Sequence, residues 1–412
     1  MWGRKAVPGL LLLSWCVQSE AQEATSGFAM PATLTGGALY THRLQSDDPG
    51  ARPAALSFHA VLSPSVKLGP HWFAYSSLHI RSTPFFAYDA YEAKREIKAQ
   101  VAQAFVAYTR SRGTTSVLVK AGQLISAFGS FPLRYDDVDN PLLDQPLSYT
   151  TYLKLRPDQL PCNVEDLTGD EYSRLVSYHC GGSASSSDGL TPVTLYGLPG
   201  VELDLSSHKA DARLQVTNSS PSNPQSLLSR SQHAQWTVGG GYTLVQGFRI
   251  GFSAFRGPFL DRAVVPFLPA GKNVRDFPAA GAGSDIQWAR GRWAVNAEWQ
   301  WLRFTYPNFR TLPTASFGYA EVKAVLNART YLALRVAHQH NSHVEDLTER
   351  SDETFTPNHQ SYELALGFRP NRRQLLKIGY EWLRTAEISG TRDNVLGLQF
   401  VTSLPSLSKA WR

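Results

Sequence analysis

From about residue 30 onward, apolar side chains recur at every second position in segments of about ten residues. Trp293, Val295, Ala297, Trp299 and Trp301 alternate with Ala294, Asn296, Glu298 and Gln300. Leu332, Leu334 and Val336 alternate with Ala333 and Arg335, and Leu376, Ile378, Tyr380 and Trp382 with Lys377, Gly379 and Glu381. The same period runs through Phe248–Phe252 and Tyr362–Phe368. Successive side chains of a strand point to opposite faces, so each segment has one greasy and one polar face. The breaks delimit about sixteen strands: 32–43, 54–66, 71–82, 95–109, 115–128, 199–206, 211–218, 232–244, 248–258, 278–289, 292–304, 315–326, 330–340, 359–369, 374–386 and 392–403.

The connections alternate between short and long. Tight ones such as Arg290–Gly291 and Asn327–Arg329 are followed by long ones such as 259–277 and 341–358. Two different environments at the two ends of an up-and-down sheet produce this pattern. A β-sandwich would also alternate, but its aromatic residues would sit mid-face in the core. Here Trp72, Trp288, Trp293 and Trp382 fall near strand ends, where interfacial girdles belong. In hydrocarbon every backbone N–H and C=O needs an internal partner, which for strands only closure supplies. The pattern therefore predicts an all-β chain, a transmembrane up-and-down antiparallel β-barrel of about sixteen strands, with both termini on the short-turn side.

Composition agrees. Charged residues are 18% and aromatic residues 11% of 412, which excludes disorder. No run of about 18 apolar residues occurs, so membrane-crossing helices are not expected. Arg4 and Lys5 precede an apolar run from Val7 to Val17, and Ser19-Glu20-Ala21 offers a cleavage site. Residues 1–21 thus read as a secretory signal peptide, with 22–412 as the barrel. The net charge of +6 carries no Lys/Arg cluster, so nucleic acid is not an expected partner. After export two cysteines remain, Cys162 and Cys180, and in an oxidising compartment they read as one disulfide.

The two cysteines lie in the longest connection, 129–198, far beyond ordinary loop length. It carries ten acidic and four basic residues. Folded into the lumen, Arg134, Asp136, Asp137, Asp139 and Asp144 would form a constriction; folded outward, the segment would cap the mouth. The polar parity of the strands nominates wall residues facing a water path: Arg81, Lys120, Arg213, Arg249, Lys323, Arg335, Arg369 and Lys377, with Glu202, Asp204, Asp285, Glu298, Glu321, Glu363 and Glu381. The signs nearly balance, so no ion preference follows.

Other chemistry is weaker. His338 and His340 share a strand face, but it is the face of Leu334 and Val336, which makes them an interfacial end rather than a metal pair. His179 with Glu165 or Asp166 is too sparse a set for a metal. Asp136-Asp137-Val138-Asp139-Asn140 has the oxygen density of a Ca²⁺ loop without its turn glycine or distal glutamate. His59 and His79 have inward parity, but nothing in the sequence places them beside a serine, and no nucleophile motif is present. No catalytic residue, metal or cofactor is expected.

Lys120-Ala-Gly-Gln-Leu, Phe128-Gly-Ser-Phe-Pro132, Arg134-Tyr135 and Asn140-Pro-Leu-Leu-Asp-Gln-Pro-Leu147 resemble the stretch after an early strand in porin-like outer-membrane barrels of diderm bacteria, the phosphate-selective-type porins among them. The resemblance spans about thirty residues plus the overall layout. It implies an outer-membrane porin, a passive water-filled channel for small hydrophilic solutes, embedded in outer-membrane lipid and often a homotrimer. The basic ladder of an anion-selective member is not evident, so phosphate does not carry over. The alternative expectation is a barrel plugged by its long loop, non-conducting and serving as a surface binding or assembly partner.

Overall fold

The computed structural model describes residues 27–42, 52–83, 85, 96–168, 176–182, 189–218, 222–223, 234–385 and 392–406. The residues of the signal-peptide expectation lie outside these. Sixteen antiparallel strands close into a barrel. They are β1 (Ala32–His42), β2 (Ala54–Leu62, resumed at Ser65–Lys67), β3 (Trp72–Thr83), β4 (Glu96–Arg112), β5 (Thr115–Leu124), β6 (Leu198–Ser206), β7 (Ala210–Thr217) and β8 (Gln235–Val245). The second half comprises β9 (Phe248–Pro258), β10 (Pro278–Arg290), β11 (Trp293–Phe304), β12 (Thr314–Val325), β13 (Thr330–Asn341), β14 (His359–Asn371), β15 (Gln374–Thr385) and β16 (Arg392–Leu404). Each pairs with its sequence neighbour, and β1 pairs with β16 from Ala32↔Leu404 to His42↔Asn394, so the sheet has no open edge.

The period-two pattern becomes an inside and an outside. In β13, Leu332, Leu334 and Val336 are 39–46% exposed on the outer wall. Their neighbours Tyr331, Ala333 and Arg335 face inward and are at most 4% exposed. Exposed Trp72 and Trp293 mark the short-turn rim, while Trp236 and Trp382 lie toward the long-loop rim. This apolar band, bordered by aromatic residues, is the surface that a hydrocarbon solvent demands. His338 and His340 lie on it, exposed, as their parity indicated.

Local chemistry sets the irregularities. Gly291 takes φ 61° in the two-residue turn between β10 and β11, a conformation the hairpin's twist favours and side chains disfavour. β2 breaks at Pro64, which has no N–H for the ladder; its carbonyl still accepts from Ser76 N at 2.9 Å. β4 carries a bulge opposite Ser77–Leu78, placing Ala102 out of register and buried.

β5 ends at Leu124, four residues earlier than the sequence pattern suggested, because the chain leaves the sheet there for the lumen. The described residues from 125 to 160 and from 189 to 197 run against inward-facing wall side chains, while Val164–Thr168 packs on the small sheet at the long-loop end. The insertion carries two short helical turns, Leu147–Thr150 and Val164–Thr168, and the Cys162–Cys180 disulfide with Cα atoms 4.9 Å apart. Toward the long-loop end its apolar residues, among them Leu153, Leu155, Leu167 and Val193, form one core with inward wall residues Phe255, Leu302, Phe304 and Phe317. A small sheet of Phe309–Thr311, His343–Asp346 and Arg350–Thr354 lies over this end, with Val344 and Phe355 in the same core.

The outer wall yields a direct test. Leu334→Arg, at mid-height on the lipid side, is expected to cost about 2–4 kcal/mol of folding stability in vesicles. Asn296→Arg, on the inward face of β11, should cost far less. Denaturant titration of refolded barrels in liposomes measures both.

Candidate functional site in the lumen

An irregular chain inside a barrel faces a problem of partners. Outside two short helical turns and a few internal bridges its N–H and C=O groups lie in neither a helix nor a sheet, and water is excluded from most of the contact. Here the wall supplies the partners, with charged side chains bonding to the plug backbone.

The first anchor is Glu298 on β11, 4% exposed. Its carboxylate accepts from Ser130 N and Phe131 N, both at 3.2 Å, from Ser130 Oγ at 3.2 Å and from Tyr149 OH at 2.9 Å. Two wall groups complete the shell: Tyr319 OH at 3.2 Å and Gln300 Nε2 at 2.6 Å. Gly129, with φ 84°, lets the chain turn here, and a Cβ at that position would collide with Tyr149, Glu298 and Gln300. The Phe128-Gly-Ser-Phe stretch is thus the insertion point, its aromatic rings packing on Phe255 and Tyr149. Burial beside Glu298 pushes the Tyr149 phenol well above its usual range, which keeps its proton in place as a donor.

The second anchor holds the deepest stretch, 136–142. Lys377 Nζ donates to three plug carbonyls, Leu142 O at 2.9 Å, Asp137 O at 3.3 Å and Asn140 O at 3.4 Å. Arg369 donates to Val138 O at 3.0 Å and Tyr331 OH to Pro141 O at 3.1 Å. Asp137 reaches the nearby strands β1 and β2 across β16. Thr35 Oγ1 donates to its carboxylate at 2.7 Å, and His59 Nδ1 lies 2.8 Å from it. The chain of contacts continues from His59 Nε2 to His79 Nδ1 at 3.1 Å and from His79 Nε2 to Ser77 Oγ at 3.0 Å. Burial alone would raise the Asp137 carboxyl, but His59, Lys377 and Thr35 outweigh it and hold the carboxyl well below the ordinary carboxylate range. Ser77 and His79 are buried beneath the plug, so this serine is a hydrogen-bond terminus.

The third anchor is Arg335 with Glu363. Glu363 accepts from Leu143 N at 2.6 Å and Asp144 N at 3.1 Å, while Arg335 donates to Asp144 O at 2.6 Å and pairs with Glu363 itself. Arg335 also lies 3.6 Å from Glu321, which is shared with the plug's Arg134 at 3.6 Å. Burial, with Glu381 and Glu363 close by, pushes the Asp144 carboxyl well above its ordinary value.

The wall candidates thus fall into two groups. Glu298, Glu321, Arg335, Glu363 and Lys377 lie under the plug, at most 4% exposed. Toward the short-turn end the wall keeps ion pairs that are partly exposed except at Glu202, which is 2% exposed. Lys120 bridges Glu202 and Asp204 at 2.6 and 2.7 Å, Arg213 meets Asp204 at 3.1 Å, and Arg249 spans Asp211 and Asp285 at 2.8 and 3.1 Å. Arg81, Lys323, Arg369 and Glu381 also face inward and are partly exposed. Of the plug residues, Arg134, Asp137 and Asp144 are drawn into the anchors, while Asp136 and Asp139 stay exposed at the deepest point. They therefore face the vestibule at the short-turn end. Among the described residues no group of three metal-ligating side chains converges, and His179 instead lies 2.5 Å from Asp166.

Strand parity encodes the inward positions but not their partners. The His59–Asp137 contact joins positions 78 apart in sequence and Lys377–Asp137 positions 240 apart, and no periodicity encodes either. The Phe-Gly-Ser-Phe motif was the available signal for the insertion point.

No protein-family model matches the chain, and no curated protein matches it in sequence. Solved structures do. OprB of Pseudomonas putida aligns over 94% of this chain and 96% of its own, at 12% identity and a TM-score of 0.55. An anion-selective porin from Comamonas acidovorans aligns over 92% and 99%, at 8% identity and a TM-score of 0.53. The outer-membrane channel DcaP of Acinetobacter baumannii aligns over 92% and 97%, at 9% identity and a TM-score of 0.50. At these identities the likeness concerns architecture: the chain has the closed sixteen-stranded barrel fold of bacterial outer-membrane porins.

Proposed function

We propose that this chain is a non-enzymatic, porin-type channel protein of the bacterial outer membrane, held closed at rest by its own plug, 125–197. One observation carries the reading. Lumen-facing side chains on strands spread around the barrel, Thr35, His59, Gln215, Thr237, Glu298, Arg335 and Lys377, are less than a tenth exposed. An open eyelet would leave some of them in water. The inner part of the contact is polar or charged, so water could replace the plug's partners when it withdraws. Small hydrophilic solutes would then pass passively between the wall charges.

A second reading rests on a different observation. Toward the long-loop end the inward wall is apolar at Phe255, Ala279, Leu302, Phe304, Ala315 and Phe317. Such a surface suits a permanent occupant better than water. On that reading the plug never leaves, and the barrel serves as a surface binding or assembly platform.

Single-channel recording in planar bilayers decides between them. Leu124 and Leu198 are direct cross-strand partners, so a four-residue Gly/Ser turn can replace 125–197 without disturbing β5 or β6. The wild type is expected to be silent and the deletion variant to give stepwise currents. Large open-channel currents from the wild type would overturn the closed reading. Glu298→Ala leaves several buried donors without an acceptor, each costing about 1–3 kcal/mol. With a mobile gate this variant should flicker open; with a permanent plug it should stay silent.

The Asp137 latch has a pH signature. A carboxyl held low in the folded state contributes stability above its unfolded value, near 4, and loses it as pH falls. Plug protection against protease should therefore exceed that of Asp137→Asn at neutral pH, and the difference should shrink below about pH 4.

A further inference from the structure

The outer wall carries two arginines that no membrane-spanning role explains. Arg256 on β9 and Arg303 on β11 are both exposed on the lipid side, near the long-loop ends of their strands. Each is the cross-strand partner of the same residue, Ala280 on β10. Directly opposed residues of antiparallel strands point to one face, so both guanidinium groups flank a single small side chain. Two inter-strand spacings put their Cα atoms about 10 Å apart, within reach of one shared anion. Neither has a carboxylate partner among the described residues. Arg303 instead lies over the Trp301 ring, 5.9 Å from its centroid.

Below them the wall is hollowed. The next row along β9–β11 reads Ala254–Ala282–Trp301, and the one after it Phe252–Ser284–Trp299. Along β10 the outward residues Ala280, Ala282 and Ser284 are all small. Trp301 and Trp299, the latter 47% exposed, stand on one side. Phe252, 66% exposed, and Trp236, 56% exposed on β8, stand on the other. The result is a shallow apolar groove running down the wall from a pair of cations.

We propose that this groove binds one lipid of the leaflet next to the long loops, its phosphorylated headgroup held between Arg256 and Arg303 and an acyl chain lying over Ala280, Ala282 and Ser284. The charge and the apolar groove together select the occupant. A free phosphate would use the arginines and leave the groove empty, while a neutral lipid would fill the groove and leave two cations unpaired at the hydrocarbon boundary. Guanidinium groups pair with phosphate oxygens bidentately, which gives the site directional hold as well as charge. The inference rests on the outer-membrane reading.

The test uses the full mature chain in detergent micelles, with retention of diphosphoryl lipid A and of phosphatidylethanolamine read by native mass spectrometry. Wild type should retain lipid A in preference. Arg256→Gln/Arg303→Gln should lower that retention at least about ten-fold, since two charge-assisted contacts are lost. Arg256→Lys/Arg303→Lys should keep much of it, and Arg290→Gln/Arg292→Gln, at the short-turn rim, should leave it unchanged. Ala282→Phe, which fills the groove and keeps both cations, should also weaken retention. Equal retention by wild type and the double glutamine variant would overturn the assignment. So would full displacement of lipid A by millimolar inorganic phosphate, which would mark a plain anion site. Heat-modifiable gel migration monitors the barrel itself: a chain that never migrates as a folded barrel would contradict the membrane reading, whereas folded variants that all bind alike would contradict only the lipid site.

Discussion

An irregular backbone can occupy the inside of a barrel only if the wall bonds to it. That constraint organises the lumen of this protein. Glu298 and Glu363 accept from plug amides, while Lys377, Arg335 and Arg369 donate to plug carbonyls. The buried charges of the wall are therefore caps for a chain without regular structure. Net ion preference is a poor guide to their role, because their partners are peptide groups rather than passing ions.

The molecule solves the same problem three times with different means. Against lipid, strand closure pairs every ladder group and the side chains are apolar. At mid-lumen, charged and hydroxyl side chains pair with the plug. Toward the long-loop end, aromatic and aliphatic residues of wall and plug make one core. This last region behaves like the interior of a soluble domain, and the Cys162–Cys180 bridge lies within the same plug segment. A polar contact below and an apolar one above give the plug two kinds of hold, with different responses to water.

The barrel was largely legible in the sequence, for a physical reason. A strand with lipid on one face and a filled lumen on the other must alternate, and β9, β11 and β13 do so with almost no exception. The alternation runs four residues past the end of β5 because Ile125 and Ala127 continue it after the backbone has left the sheet. The plug was legible as length, acidity and two cysteines, but not as a position. Its anchors join residues far apart in sequence, such as Asp144 with Arg335, and depend on which wall strands meet which turn of the insertion. The Arg256–Arg303 pair escaped for the opposite reason. Each arginine looks like an ordinary strand end, and only the shared partner Ala280 brings the two together.

Backbone amide exchange in lipid nanodiscs tests the central claim most directly. If wall side chains bond to the plug backbone, the amides of Ser130, Phe131, Leu143 and Asp144 should exchange as slowly as those of the barrel strands, and Glu298→Ala should release Ser130 and Phe131 selectively. Exchange at those four amides as fast as in an unstructured peptide would contradict the account.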